Sequence, residues 1–180
     1  MQKTAQTKKR SSLVDAIVSS LKKTEILSDT VSRKSFTEAQ IQTSLFAHLQ
    51  KKLPYILGKH FNYSQKKVEK IVEKDFKFEK KRTTTVPSFN VFETNHHPDA
   101  VLEINKGLRI AIELKAGDTG QDIRAGIGQS LVYSTQFNFT IYLFVDTTPG
   151  YDIEGSVTGK KEKALINSLW KNYNVKFIVV

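Results

Sequence analysis

Apolar residues recur at helical spacing in two stretches of the first third of the chain. The first stretch predicts a short amphipathic helix over residues 13–27, after a polar and basic arm over residues 1–12 that we expect to be mobile. The second predicts a longer helix that begins near Ser35 or Thr37, where a hydroxyl can cap it, and that Pro54 ends.

The pattern changes from helical to alternating in the middle of the chain. Residues 54–67 mix aromatic and basic side chains, which suits either base stacking with phosphate contacts or an ordinary half-buried helix, and we favour the helix. Residues 68–86 combine helical and extended features, from which we predict a strand over residues 74–85. Beyond residue 87 the pattern predicts strands at 99–104, 108–115, 139–146 and 175–180, and helices at 121–136 and 159–171.

The composition excludes several classes of function. With 180 residues, 39% of them hydrophobic and 26% charged, the chain has room for one domain with a real core. The absence of cysteine excludes disulfides, thiolate metal sites and cysteine nucleophiles. Because the sequence shows no signal-peptide stretch and no run of ~18 apolar residues, we expect a soluble, cytoplasmic protein without membrane contact.

Charge is distributed unevenly along the chain. Residues 1–85 hold 19 Lys and Arg against 8 Asp and Glu, whereas residues 86–180 hold 9 against 10. A positive surface attracts polyanions by releasing their condensed counterions, so nucleic acid is the expected partner. A lysine-rich face that serves only solubility is the alternative.

A short connection at residues 105–107 separates two apolar runs and is typical of a β-hairpin. If Ile104 faces Leu108 across this connection, Asp99 lies directly opposite Glu113. Side chains that face each other on neighbouring strands have β-carbons only about 5 Å apart. The sequence therefore predicts two carboxyl groups in one small pocket.

Alternation along the two predicted strands separates two faces. One face is wholly apolar and must belong to the core: Ala100, Leu102, Ile104, Leu108, Ile110, Ile112 and Leu114. The other face carries Asp99, Glu113 and Lys115 at the end away from the turn. Nearer the turn, Glu103 faces Arg109, for which a structural salt bridge is the better explanation.

Two carboxylates held this close repel each other unless a cation lies between them. Mg²⁺ fits because it prefers hard oxygen ligands and usually takes one or two protein carboxylates beside a substrate phosphate. Lys115, two residues after Glu113, can reach a scissile phosphate or an attacking water. A surface ion-pair cluster is the alternative interpretation of the three groups.

Pro98-Asp99 and Glu113-Leu114-Lys115, on adjacent strands, resemble the PD-(D/E)XK superfamily of restriction-type and RecB-type DNA nucleases. The resemblance implies an α/β fold with a restriction-endonuclease-like α-β-β-β-α-β core, whose central mixed sheet is flanked by helices. It implies that the acidic pair binds Mg²⁺, for which Mn²⁺ can substitute, and that the lysine assists hydrolysis. We accordingly divide the chain into a basic arm and helical extension over residues 1–34 and a nuclease domain over residues 35–180.

Two further matches extend the resemblance. Members of the family often contribute a glutamate from the first core helix, where Glu38 stands, and RecB-type members carry a Q-x-x-x-Y pattern that Gln129 and Tyr133 repeat. Helix-start electrostatics for Glu38, and the polar edge of a packed helix for the other two, remain alternatives. The residues implied as catalytic are Asp99, Glu113, Lys115, Glu38 and Gln129, and those implied as metal ligands are Asp99, Glu113 and Glu38. Apart from the resemblance, we expect DNA contacts from Tyr133, Arg124, Lys80, Lys81 and Arg82.

Some residues near these motifs have simpler interpretations. Asp118 and Asp122 lie just before and inside the start of a predicted helix, so capping explains them better than metal binding. Gly126 and Gly128 match no phosphate-binding glycine motif. We expect them to permit close approach of the helix to the sheet or to a DNA backbone.

The sequence therefore favours a Mg²⁺-dependent DNA endonuclease of a restriction, mobile-element or junction-resolving type. A catalytically inactive DNA-binding module of the same fold is the alternative, and a small partner-binding protein with incidental charge is a third. Because one site per chain must cut two strands, we also expect a homo-oligomer.

Overall fold

The computed structural model describes residues 5–28, 36–78, 86–104, 107–148, 152–157 and 159–180. Through Asp75 the described secondary structure is helical, and strands and further helices follow from Phe76 onward. The helices are α1 (Ala5–Lys22), α2 (Glu25–Ser28), α3 (Glu38–Phe61), α4 (Gln65–Asp75), α5 (Gly120–Tyr133), α6 (Asp152–Ser156) and α7 (Lys160–Tyr173). The strands are β1 (Phe76–Phe78), β2 (Phe89–Val91), β3 (Thr94–His96), β4 (Ala100–Ile104), β5 (Leu108–Gly117), β6 (Phe139–Asp146) and β7 (Val175–Val179).

Five strands form one mixed sheet in the order β1-β4-β5-β6-β7. The pairs β1–β4 and β4–β5 are antiparallel, and the pairs β5–β6 and β6–β7 are parallel. Parallel neighbours need a crossover connection, which α5 and α7 supply. Strands β2 and β3 form a separate hairpin.

Helices cover both faces of the sheet, because its central strands are apolar on both sides. Along β6, Ile141, Leu143 and Val145 belong to the core cluster that α1, α3 and α4 complete. The intervening Tyr142 and Phe144 belong to a second cluster with residues of α5 and α7. The chain is therefore α/β, with a central mixed sheet flanked by helices.

The predicted register of the β4–β5 hairpin is confirmed. Ile104 pairs with Leu108 and Ala100 with Ile112, while residues 105–106 of the expected turn lie outside the described residues. All seven residues of the predicted apolar face are buried in one core cluster. The Glu103 carboxylate lies 3.9 Å from the Arg109 guanidinium, as the facing positions predicted.

The first helix begins earlier than expected, and the predicted mobile arm is wrong for residues 5–12. Helix α1 starts at Ala5, since the residues that open it are good helix formers. Leu13, Ile17 and Leu21 are fully buried and pack in the same cluster as α3 and the sheet. This burial stabilises the helix that carries the basic N-terminal residues.

The prediction that Pro54 ends the second helix is also wrong. Helix α3 begins after Thr37, which forms a capping box with Gln40, and continues through Pro54 to Phe61. A proline inside a helix costs about 3 kcal/mol. The next turn is buried against the core, which offsets that cost, and the left-handed Asn62 ends the helix instead.

Residues 54–61 and 65–67 are helical, as favoured, with a break at residues 62–64, and α4 then runs two residues into the predicted strand 74–85. Only Phe76–Phe78 is extended, and residues 79–85 lie outside the described residues. The β2–β3 hairpin and α6 were not predicted.

Nowhere in the described ranges does a helix combine the length and apolar content that crossing a bilayer requires.

Candidate functional site

The predicted acidic pair comes together where the β4–β5 hairpin ends away from its turn. Asp99 precedes the first residue of β4, and the paired register places it beside Glu113 of β5. The backbone N–H of Leu114 donates to Asp99 Oδ2 at 2.7 Å. This bond fixes the carboxylate against β5, so both acids lie on the side of the sheet away from the hairpin's apolar core face.

Lys115 lies between two acids from different layers of the fold. Its Nζ is 3.5 Å from Glu113 Oε1 and 3.6 Å from Glu38 Oε1. Glu38 is the first residue of α3, and its other oxygen accepts from the N–H of Ala116 at 2.9 Å. The structure thus unites Asp99, Glu113, Lys115 and Glu38 in one cluster, as predicted.

Glu113 is the most enclosed member of the cluster. Its side chain is 3% exposed, and within the described part of the chain Oε2 has no hydrogen-bond partner. Burial, reinforced by the charge of Asp99, raises the pKa of Glu113 to about 8, although Lys115 acts in the opposite direction. An ionised Glu113 is therefore unfavourable at neutral pH unless another positive charge joins it.

Asp99 and Lys115 respond to the same surroundings in different ways. Burial raises the pKa of Asp99 to about 6, against the opposing effects of the Leu114 N–H, Lys115 and a hydrogen bond from Gln42. Burial by itself would lower the pKa of Lys115, but the charges of Glu113, Glu38 and Asp99 outweigh it and raise that pKa. Lys115 therefore stays protonated at neutral pH.

Tyr133 lies behind the acidic pair. Its hydroxyl donates to the carbonyl oxygen of His97 at 3.1 Å, and burial together with the nearby Glu113 raises its pKa. Only 2% of the residue is exposed. This burial contradicts the expected DNA contact, because the ring is covered by the protein. Tyr133 instead supports the acidic pair from the side of α5.

Gln129 lies one turn before Tyr133 on α5, and the structure does not join it to the carboxylates. Its Oε1 is buried and lacks a hydrogen-bond partner among the described residues. The expected contact residue Arg124 is exposed on α5. The other three expected DNA contacts, Lys80, Lys81 and Arg82, lie outside the described residues.

Capping and close packing explain the remaining residues near the site. Thr119 caps α5 by accepting from the N–H of Asp122, and its hydroxyl donates to the Asp122 carboxylate at 2.6 Å, so the capping prediction holds for Asp122. A β-carbon on Gly126 would lie 2.2 Å from Tyr142 Cζ, which confirms the predicted close approach of α5 to the sheet. Gly128 faces open space and makes no such approach.

The metal-binding prediction needs one correction. Among the described residues, no three His, Asp or Glu side chains are arranged to hold an ion together. Glu38 is excluded from such a set because its two oxygens contact Lys115 and the Ala116 N–H. The pair Asp99 and Glu113 still fits Mg²⁺, which usually takes only one or two protein carboxylates, and the unpartnered Glu113 Oε2 is a hard oxygen donor.

Sequence reasoning missed two kinds of contributor. Gln42 follows Glu38 by four residues, so helical spacing places both on one side of α3, and this signal was available. The backbone groups of Leu114, Ala116 and His97 also hold site side chains. No sequence pattern marks these groups, since every residue type carries them.

Four charged side chains from the sheet and from α3 therefore meet at one end of the β4–β5 hairpin. They form a partly enclosed acidic site with one amine in it. No protein-family model, curated protein sequence or solved structure matches this chain.

Proposed function

We propose that this chain is a Mg²⁺-dependent deoxyribonuclease of the PD-(D/E)XK type, which hydrolyses phosphodiester bonds in DNA. The observation that carries the proposal is the placement of Asp99 and Glu113 side by side, with Lys115 adjoining and Glu113 Oε2 unpartnered. Three acids surround one amine, Lys115, and a divalent cation would let the buried Glu113 ionise beside Asp99.

Asp99 and Glu113 are the residues that would hold the metal. The Leu114 N–H restrains Asp99, while burial beside Tyr133 restrains Glu113, so the two carboxylates are positioned before any ligand arrives. When bound there, Mg²⁺ would supply Lewis-acid polarisation of the phosphate and favour ionisation of water. Both residues would then be fully ionised at neutral pH, because a cation favours the charged form.

Lys115 has a separate role in the proposal. Hydrolysis adds the oxygen of one water molecule to phosphorus and breaks the bond from phosphorus to one ester oxygen. The water loses a proton, and the departing oxygen gains one. Because Lys115 remains protonated, it stabilises negative charge on the phosphate oxygens rather than taking the proton from water.

Glu38 acts through other groups. It pairs with Lys115 and accepts from the N–H of Ala116, so it sets the direction of the amine and joins α3 to the end of β5. Glu38 is therefore a positioning residue. Gln42, one turn later on the same helix, has the same kind of role toward Asp99.

The proposal extends to partners and location. The excess of positive charge in residues 1–85 supports DNA as the polyanion, with Arg124 and the basic residues at 80–82 as contacts. A small nuclease with one site per chain that cuts both strands usually works as a dimer or larger assembly, so the proposal includes a homo-oligomer acting on DNA in the cytoplasm.

Nicking of supercoiled plasmid DNA tests the proposal. We expect nicking by the parent chain with Mg²⁺ and its loss in Glu113→Gln, while DNA binding measured with Ca²⁺ is retained. Glu103→Gln is the matched control, because it removes an acid from the same face of the same hairpin, 3.9 Å from its own Arg109 partner. An inactive DNA-binding module would instead bind DNA without metal-dependent nicking by any of the three proteins.

A further inference from the structure

A second concave site lies between α1 and α3, away from the acidic cluster. The cavity has a volume of about 590 Å³. Cavities of this size hold small organic ligands in many proteins. Its walls are the C-terminal part of α1 with the residue that follows it, and residues 48–60 of α3.

The cavity is basic. Lys23, which follows α1, and Lys52 and Lys59 of α3 line it, and none of the described residues that line it is acidic. None of these three lysines forms an ion pair within the described ranges. The nearby acid of α1, Asp15, is paired with Lys176 at 2.7 Å, so it does not neutralise the cavity.

Most of the α3 residues that line the cavity lie along one side of that helix. His48, Lys52, Tyr55 and Lys59 recur at intervals of four, three and four residues, which places them along one side of the helix. Tyr55 is 71% exposed although its neighbours on the core side are buried. An exposed aromatic ring between lysines is the arrangement that stacks on a base while the amines contact phosphate.

We infer that this cavity binds a nucleoside phosphate whose base is unpaired. Tyr55 stacks on the base, Lys52 and Lys59 contact phosphate oxygens, and the hydroxyls of Ser19 and Ser20 offer further hydrogen bonds. A concave site with a single ring suits a separate nucleotide better than the continuous backbone of a duplex. The ligand is either a nucleotide of a single-stranded segment or a free nucleotide.

The position of the cavity relates it to the proposed nuclease site. The cavity residues of α3 follow Glu38 by 10 to 22 positions, which is roughly 15–33 Å along the helix axis. If the chain is a nuclease, a single-stranded segment in the cavity would select substrates that carry an unpaired end or branch at that distance from the cut. This selection rests on the proposed function, whereas the binding itself does not.

Fluorescence anisotropy in EDTA tests binding without cleavage. The probes are a labelled oligodeoxythymidylate of about 12 nucleotides and a duplex of the same length. We expect Tyr55→Ala to weaken single-strand binding about tenfold with little change for the duplex. Tyr173→Ala is the matched control, because Tyr173 is an exposed tyrosine of α7, and it leaves binding unchanged.

A pair of lysine variants gives an independent readout. We expect Lys52→Gln with Lys59→Gln to flatten the salt dependence of single-strand binding by about 1.4 in log–log slope. The control is Lys161→Gln with Lys163→Gln on α7, which keeps the salt dependence of the parent.

A competition experiment distinguishes the two kinds of ligand. Displacement of the probe by unlabelled oligodeoxythymidylate but not by thymidine monophosphate assigns the site to a strand. Displacement by the monophosphate assigns it to a free nucleotide.

The inference is overturned if the cavity variants and their α7 controls change single-strand binding equally, or if neither pair changes it. Failure of the proposed function gives a different result. In that case plasmid nicking is absent while single-strand binding in EDTA still depends on Tyr55. If the parent chain nicks plasmid DNA but its single-strand binding does not depend on Tyr55, the nucleotide-binding inference alone is overturned.

Discussion

Glu113→Gln should make the protein more stable at neutral pH when no divalent cation is present. The carboxyl is 3% exposed and shares the site with Asp99, so keeping it charged in the folded state is unfavourable. Glutamine has nearly the same shape and no charge. At pH 7 the unfolded parent has Glu113 ionised and must take up a proton to fold, a cost that the variant avoids while it retains the packing.

The magnitude follows from the shift in pKa. The pKa of Glu113 is about 8 in the folded protein, and its ordinary value is 4.5. An acid whose pKa is raised in the folded state binds its proton more tightly there than in the unfolded chain. The free energy of unfolding is therefore highest below pH 4.5 and falls as the pH rises toward 8. At pH 7 the loss is roughly 3 kcal/mol, or about 5–10 °C in melting temperature for a chain of this length.

The neighbouring groups do not reverse this sign. Ionisation of Asp99 also lowers the stability of the protein as the pH rises, between the ordinary pKa of 3.8 and the folded pKa of about 6. The raised pKa of Lys115 lies above 10.5, so its contribution is constant across this window. The predicted change between pH 5 and pH 8 therefore comes from the two carboxyls.

Thermal unfolding followed by circular dichroism in EDTA measures the effect. We expect the melting temperature of Glu113→Gln to exceed that of the parent at pH 7, by a margin that narrows at pH 5. Added Mg²⁺ should stabilise the parent, by about 2.7 kcal/mol at 100 times the dissociation constant, and not the variant. Glu103→Gln, which is half-exposed beside Arg109, should stay within about 1 kcal/mol of the parent throughout.

One result would refute this reasoning directly. If Glu113→Gln melts at or below the parent temperature at pH 7 in EDTA, the pair is not under electrostatic strain. A margin that stays constant from pH 5 to pH 8 would also contradict it, because the variant would then act through packing rather than through charge.

Three further predictions follow from the same structure. Gly126→Ala should destabilise the protein by about 1–3 kcal/mol because its new carbon would overlap Tyr142, whereas Gly128→Ala, facing open space, should stabilise α5 by up to about 1 kcal/mol in denaturant titrations. Glu38→Gln should slow plasmid nicking at saturating DNA with little change in DNA affinity, since it holds Lys115 rather than substrate; a change confined to affinity would contradict this. DNA affinity of the parent should fall steeply as salt rises, and a salt-independent affinity would exclude phosphate contacts as its main source.

Strand periodicity made the β4–β5 hairpin predictable in detail. A shift of one residue would turn all seven apolar residues of its core face outward, so a single register satisfies the pattern and also sets Asp99 beside Glu113. The role of Glu38 in the same cluster depends on how α3 docks. That docking is a tertiary property, and only the family resemblance suggested it.

Other elements could not be predicted from the sequence, for physical reasons. Proline rules describe an isolated helix, but α3 passes Pro54 because the turn that follows is buried. The β2–β3 hairpin turns at Phe92 and Glu93, which adopt φ values of 50° and 62° without the Asn-Gly pair that usually marks such a turn. The raised pKa of Glu113 also depends on burial in the assembled fold, a property that no local sequence pattern gives.

The contact between Glu38 and the Ala116 amide spans 78 positions of sequence. It links the first residue of α3 to the end of β5, so that amide is shielded from solvent exchange only while the helical layer is docked on the sheet. The exchange rate of this single proton thus reports whether the two halves of the molecule are assembled. Detachment of α3 would leave the Lys115 amine without Glu38, the second acid that directs it.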